Sequence, residues 1–127
     1  MLLTILNIKF YKLIFLLGLM VNNDVVPELT NGEFEKFAKE GLAFVDFFAD
    51  WCMPCTMMSP IIDDLSEEFR GKIKFGKINV DENQKIAQKF EITSIPTFVL
   101  IKGSEILERI SGIVTQDELE EVLKKHL

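Results

Sequence analysis

A chain of 127 residues, 48% of them hydrophobic and 11 of them phenylalanine, suits a single domain built round one filled core. With 20 acidic against 14 basic side chains and a net charge of −6, it has no surplus of cations to meet a phosphate backbone, which argues against a nucleic-acid partner. The 2 cysteines are too few for a secreted disulfide scaffold, and one histidine, His126, next to the C-terminus, cannot complete a zinc site with them unless two chains pool their thiolates.

Met1 to Val21 is apolar apart from Thr4, Asn7, Lys9, Lys12 and Gly18, with no polar side chain from Leu13 to Val21. That run is shorter than the roughly 20 residues a membrane span needs. The lysines on its N-terminal side give it the layout of a signal-peptide core, but Val21-Asn22-Asn23-Asp24 lacks the usual small-residue cleavage site. Three readings follow: an anchor using all of Met1 to Val21, an imperfect signal peptide, or a true start at Met20. The last is favoured, because Met20 to Leu127 has the size of one compact domain. Residues 1–21 are therefore read as an extension and residues 22–127 as the domain.

Val25 and Val26 before Pro27 predict a short edge strand, where a proline does least harm. Thr30-Asn31-Gly32-Glu33 has capping-box spacing, so a helix should start there, bury Phe34, Phe37 and Ala38, and end at Gly41. The apolar run Leu42 to Ala49, broken only by Asp46, reads as a strand buried on both faces. Met58, Ile61, Ile62, Leu65 and Phe69 then recur at helical spacing as far as Arg70-Gly71, with Pro60 expected to bend the helix. Ile73 to Val80 alternates like a strand, and Asp81-Glu82-Asn83 opens a short helix carrying Ile86, Ala87 and Phe90. Crossover helices between such strands imply parallel pairing. Thr97 to Ile101 turns at Lys102-Gly103-Ser104 into Glu105 to Ile110, which is a hairpin. A second capping box at Thr115-Gln116-Asp117-Glu118 starts a last helix with Leu119, Val122 and Leu123 on one face. The order β-α-β-α-β-α-β-β-α predicts an α/β fold: a mixed sheet of about five strands flanked by four helices.

Both cysteines lie where the buried strand gives way to the long helix, in Phe47-Phe48-Ala49-Asp50-Trp51-Cys52-Met53-Pro54-Cys55. Unpaired amides and the positive end of the helix dipole meet at Cys52 and favour a thiolate, the nucleophile of disulfide exchange. Pro54 fixes a backbone angle in a first turn that needs no donor from it. Buried structural cysteines are the competing reading, but two at this spacing beside Trp51 and Pro54 point to a redox pair. Asp46, among Phe44, Val45, Phe47 and Phe48, should be kept partly protonated near neutrality by desolvation. It is then a candidate proton relay to Cys55, with Lys77 on the next strand as counter-charge, unless the two form only a packing pair.

These residues resemble the thioredoxin family. Val45 to Cys52 is similar to that family's strand into the active site, with the buried acid at Asp46 and its lysine at Lys77. Ser94-Ile95-Pro96-Thr97-Phe98 resembles the loop whose proline is cis and faces the disulfide. Ser111-Gly112-Ile113 resembles the small-residue loop along the substrate groove. The likeness runs from about Val25 to the C-terminus and implies the thioredoxin fold. It also implies disulfide exchange with Cys52 as nucleophile and Cys55 as resolving thiol. Trp51, Met53, Pro54, Ile95, Pro96, Gly112 and Ile113 would form an apolar substrate rim. It further implies a cytoplasmic monomer with no bound cofactor, which takes electrons from a thioredoxin reductase and passes them to oxidised proteins. A membrane-tethered or exported exchanger is the alternative if residues 1–21 are an anchor or signal, and a non-catalytic binding module is the alternative from another class.

Three positions depart from the family pattern. Met53 replaces the usual glycine between the cysteines, which leaves the reduction potential open. Thr56 replaces the lysine or arginine that usually follows the second cysteine, so a thiolate-stabilising charge is missing. Phe48 stands where tryptophan is common, an exchange expected to be neutral.

Overall fold

The computed structural model of the chain describes residues 26–127. The extension 1–21 and Val25 of the expected first strand lie outside the described residues. In chain order the elements are α1 (Asn31–Ala38), β1 (Leu42–Phe48), α2 (Met53–Glu68), β2 (Ile73–Asn79), α3 (Gln84–Lys89), β3 (Thr97–Lys102), β4 (Glu105–Ser111) and α4 (Gln116–Lys124). The strands form one mixed sheet in the order β2-β1-β3-β4. β1 pairs parallel with β2 and antiparallel with β3, and β3 pairs antiparallel with β4. Among the described residues no helix is long and apolar enough to cross a membrane.

Among the described residues the sheet has four strands where about five were expected. The segment before α1 contributes a single parallel bridge, Glu28 to Lys77, held by the Leu29 N–H to Lys77 O at 2.8 Å and the Lys77 N–H to Pro27 O at 3.0 Å. Pro27 accepts one of these bonds but has no N–H with which to extend the ladder.

β1 fixes the two layers because it is central, and its side chains alternate between faces. Phe44 packs with Met58, Ile62 and Leu65 of α2, Phe75 and Phe98 of the neighbouring strands, and Leu119 and Leu123 of α4. Val45 and Phe47 pack with Phe34 and Ala38 of α1 and with Ile86 and Phe90 on the α3 side. The expectation of a strand buried on both faces is met, since all five residues from Ala43 to Phe47 are buried. Phe37 is only half-buried, as are Ala87 and Val122.

The two expected capping boxes differ. Thr115 Oγ1 accepts the Glu118 N–H at 3.1 Å and caps α4. At α1 the Thr30 hydroxyl instead donates to Glu33 Oε1 at 2.9 Å, so no side-chain bond reaches the helix backbone. Pro60 lies inside α2, which continues on both sides of it.

Candidate active site

Cys52 ends the turn that leaves β1 and is the N-cap of α2. Its own N–H donates to Ala49 O at 3.2 Å, its carbonyl accepts the Thr56 N–H at 3.2 Å, and its Sγ accepts the Cys55 N–H at 3.2 Å. One first-turn amide, that of Cys55, therefore points at the sulfur, in keeping with a cysteine at the helix start. The two cysteines are joined in a disulfide, with Cα atoms 5.3 Å apart. Both are buried against Ala49, Phe48, Val80 and Ile95.

Behind the disulfide lies a cleft of ≈ 190 Å³ lined by Asp46, Phe48, Ala49, Asp50, Cys55, Thr56, Ser59 and Lys77. Asp46 and Lys77 face each other across the β1–β2 register. The Asp46 carboxyl is buried and its Oδ1 makes no hydrogen bond. Its pKa is raised from 3.8 to about 7, first by desolvation and further by the Asp63 charge, while Lys77 opposes the shift. Lys77 also sets its ammonium 5.3 Å from the centroid of the Phe48 ring. The structure places Asp46, Lys77 and Cys55 in one cleft. Thr56 and Ser59 in the same cleft were not foreseen as its lining.

Ile95-Pro96 is a cis peptide bond, as the resemblance implied. Gly112, at φ 88°, donates its N–H to Pro96 O at 2.9 Å, which ties the two loops together. The Thr97 hydroxyl donates to Ser94 O at 2.7 Å and lies 3.0 Å from Ser111 Oγ. Trp51 and Met53 are each 72% exposed and Ile113 is 58% exposed. Ile95, Pro54 and Gly112 are half-buried, and Pro96 is buried. Of the expected rim, Trp51, Met53 and Ile113 are therefore the exposed apolar side chains; Met57, one turn into α2 and 62% exposed, was not included in the sequence reading. Asp81 was missed as well: its carboxylate accepts the Trp51 indole N–H at 2.8 Å. The buried Asn79 presents that acid, since its Oδ1 accepts the N–H groups of Asp81 and Glu82. The link joins residues 30 apart in sequence, and no local pattern signals it.

The family model described as thioredoxin matches residues 25–125. The chain belongs to the thioredoxin family. It is 38% identical over 102 residues to the thioredoxin of Staphylococcus haemolyticus, covering 80% of this chain and 98% of that protein. To the thioredoxin of Staphylococcus aureus it is 36% identical, with the same coverage. Like other thioredoxins it is a protein-disulfide oxidoreductase, a reductase working through the Cys52–Cys55 pair. The thioredoxin fold accounts for the mixed sheet between helices and for the disulfide at the start of α2.

Proposed function

We propose that Cys52 is the attacking sulfur of this reductase. The single observation that carries the assignment is the N-cap geometry: the Cys52 sulfur accepts a first-turn amide, so the helix start stabilises negative charge on it. In the reduced protein the Cys52 thiolate attacks one sulfur of a target disulfide, and the other target sulfur leaves as thiolate. Cys55 then loses its proton and attacks Cys52 in the mixed disulfide. The target departs with two electrons and the Cys52–Cys55 disulfide remains.

Asp46 takes up and returns the Cys55 proton through the shared cleft. A carboxyl with a pKa of about 7 suits that role, because it holds and gives up a proton in the same pH range. Lys77 keeps the carboxyl from staying permanently protonated. Trp51, Met53, Pro54, Ile95, Pro96, Gly112 and Ile113 bind the target segment, which pairs with backbone at the Ile95-Pro96 bond. The chain works as a cytoplasmic monomer without a bound cofactor. A thioredoxin reductase reduces it, and oxidised proteins are its substrates.

Dithiothreitol-driven insulin reduction tests the assignment. Cys52→Ser should abolish turnover. Cys55→Ser should retain the first attack and accumulate the mixed disulfide, visible as a mass adduct. Activity surviving in Cys52→Ser would remove the nucleophile assignment.

A further inference from the structure

Helix α2 turns a polar stripe toward the back of the disulfide. Cys55, Ser59 and Asp63 stand at i, i+4 and i+8, so they stack along one side of the helix, next to the buried face made by Met58, Ile62 and Leu65. On β1, Asp46 points to the same side of the sheet as Phe44, the side that α2 covers. The stripe and the strand meet in the ≈ 190 Å³ cleft, where Cys55 and Ser59 line the wall with Asp46 and Lys77, and the Asp63 charge is felt at Asp46.

The polar atoms of this cleft are unequally committed. The Thr56 hydroxyl donates to the Cys52 carbonyl at 3.3 Å. Asp46 Oδ1 is buried with no hydrogen-bond partner. Ser59 is half-buried, and among the described residues its hydroxyl takes part in no side-chain hydrogen bond, although a helical serine commonly bonds the carbonyl four residues back. An uncommitted hydroxyl therefore shares a cleft with an uncommitted carboxyl oxygen and the second cysteine. The β3 residue opposite Asp46 is Phe98, so the charged groups facing the carboxyl are Lys77 of β2, Asp63 of α2 and Asp50 just beyond β1. A buried carboxyl oxygen without a donor calls for one, and the cleft has room for several water molecules at about 30 Å³ each. A hydroxyl both donates and accepts, so Ser59 can hold such a water in either orientation, whereas Lys77 can only donate to it.

We infer that Ser59 is a positioning residue of the reductase: it holds a water between Cys55 and Asp46 and so completes the path of the Cys55 proton. In the mixed disulfide the Cys55 thiol gives its proton to this water, which passes one of its own to Asp46 Oδ1. The thiolate then forms the Cys52–Cys55 bond as the bond from Cys52 to the target breaks, and the target sulfur leaves with the electron pair. Ser59 acts through Asp46 and keeps its own charge throughout. This inference rests on the reading of Asp46 as the acceptor of the Cys55 proton and names the side chain that connects the two.

The test mixes the reduced full chain with a saturating disulfide peptide, quenches with acid at intervals and follows the Cys52 adduct by mass. Its rise gives the first attack and its loss gives the resolving step. Ser59→Ala should leave the rise unchanged and slow the loss about fivefold near pH 7, a fraction of what a positioned acid or base contributes. The deficit should fade toward alkaline pH, where hydroxide takes the thiol proton directly. Asp46→Asn should slow the same step, and adding Ser59→Ala to it should slow it no further, because the two act along one path. An unchanged loss rate in Ser59→Ala beside a slowed Asp46→Asn would overturn the role of Ser59 and leave the Asp46 reading intact. A deficit equal at every pH, or one that adds in full to that of Asp46→Asn, would overturn it too, since damaged packing alone produces either. No slowing in Asp46→Asn would remove the Asp46 reading and this inference with it.

Discussion

Asp46→Asn should make the oxidised protein more stable at alkaline pH and leave it nearly unchanged in acid. The buried carboxyl has no partner for Oδ1, so ionising it in the folded state is costly, whereas in the unfolded chain it ionises freely. Its pKa is about 7 folded against 3.8 as the ordinary value. The folded state therefore binds the proton more tightly, and between these values it carries more protons than the unfolded chain. Stability of the wild type must then fall as pH rises from about 4 to about 7, and stay level above that. A difference of roughly 3 units at about 1.4 kcal/mol each gives a loss of about 4 kcal/mol, which is large against a typical total of about 5–15. Asparagine has nearly the shape of the protonated acid and does not ionise, so the variant should lack this slope. Guanidinium unfolding followed by far-UV circular dichroism, from pH 3.5 to 9, measures both curves. Parallel curves would show that Asp46 is not the titrating group. A variant less stable than wild type at pH 8 would show that Lys77 fully compensates the buried charge. The same substitution should slow release of the target from the mixed disulfide near neutral pH, since Cys55 loses its proton acceptor.

Phe44→Ala should cost about 3–5 kcal/mol and bring the protein close to unfolding at room temperature, because Phe44 stacks between Phe75 and Phe98 at centroid distances of 4.8 and 5.6 Å. Denaturant titration checks it, and a loss under 1 kcal/mol would mean that the layer between α2 and the sheet repacks. Thr115→Ala removes the hydroxyl that accepts the Glu118 N–H and should cost about 1 kcal/mol, measured the same way, with insulin reduction unaffected.

Among the described residues, periodicity located the helices and the four strands of the sheet to within about three residues, because each element buries a face whose spacing is written along the chain. At the N-terminal edge, where Val25 lies outside the described residues, the pairing falls at Glu28 as a single bridge, because Pro27 has no N–H with which to extend it. At α1 the capping-box spacing was present, yet the Thr30 hydroxyl bonds the Glu33 side chain instead of the backbone. Spacing permits that geometry without requiring it.

The residues of the site divide along the same line. The chain by itself determined where the two thiols sit, at the point where a strand buried on both faces meets an amphipathic helix, because strand pattern, helix pattern and the Cys-x-x-Cys spacing are all local. Tertiary structure decided what surrounds them. It placed Asp46 opposite Lys77 through strand register, tied Gly112 to Pro96, and bonded Trp51 to Asp81 across the sheet end. Contacts of that kind join residues far apart in the chain, and their energies depend on burial and distance that exist only once the layers have packed.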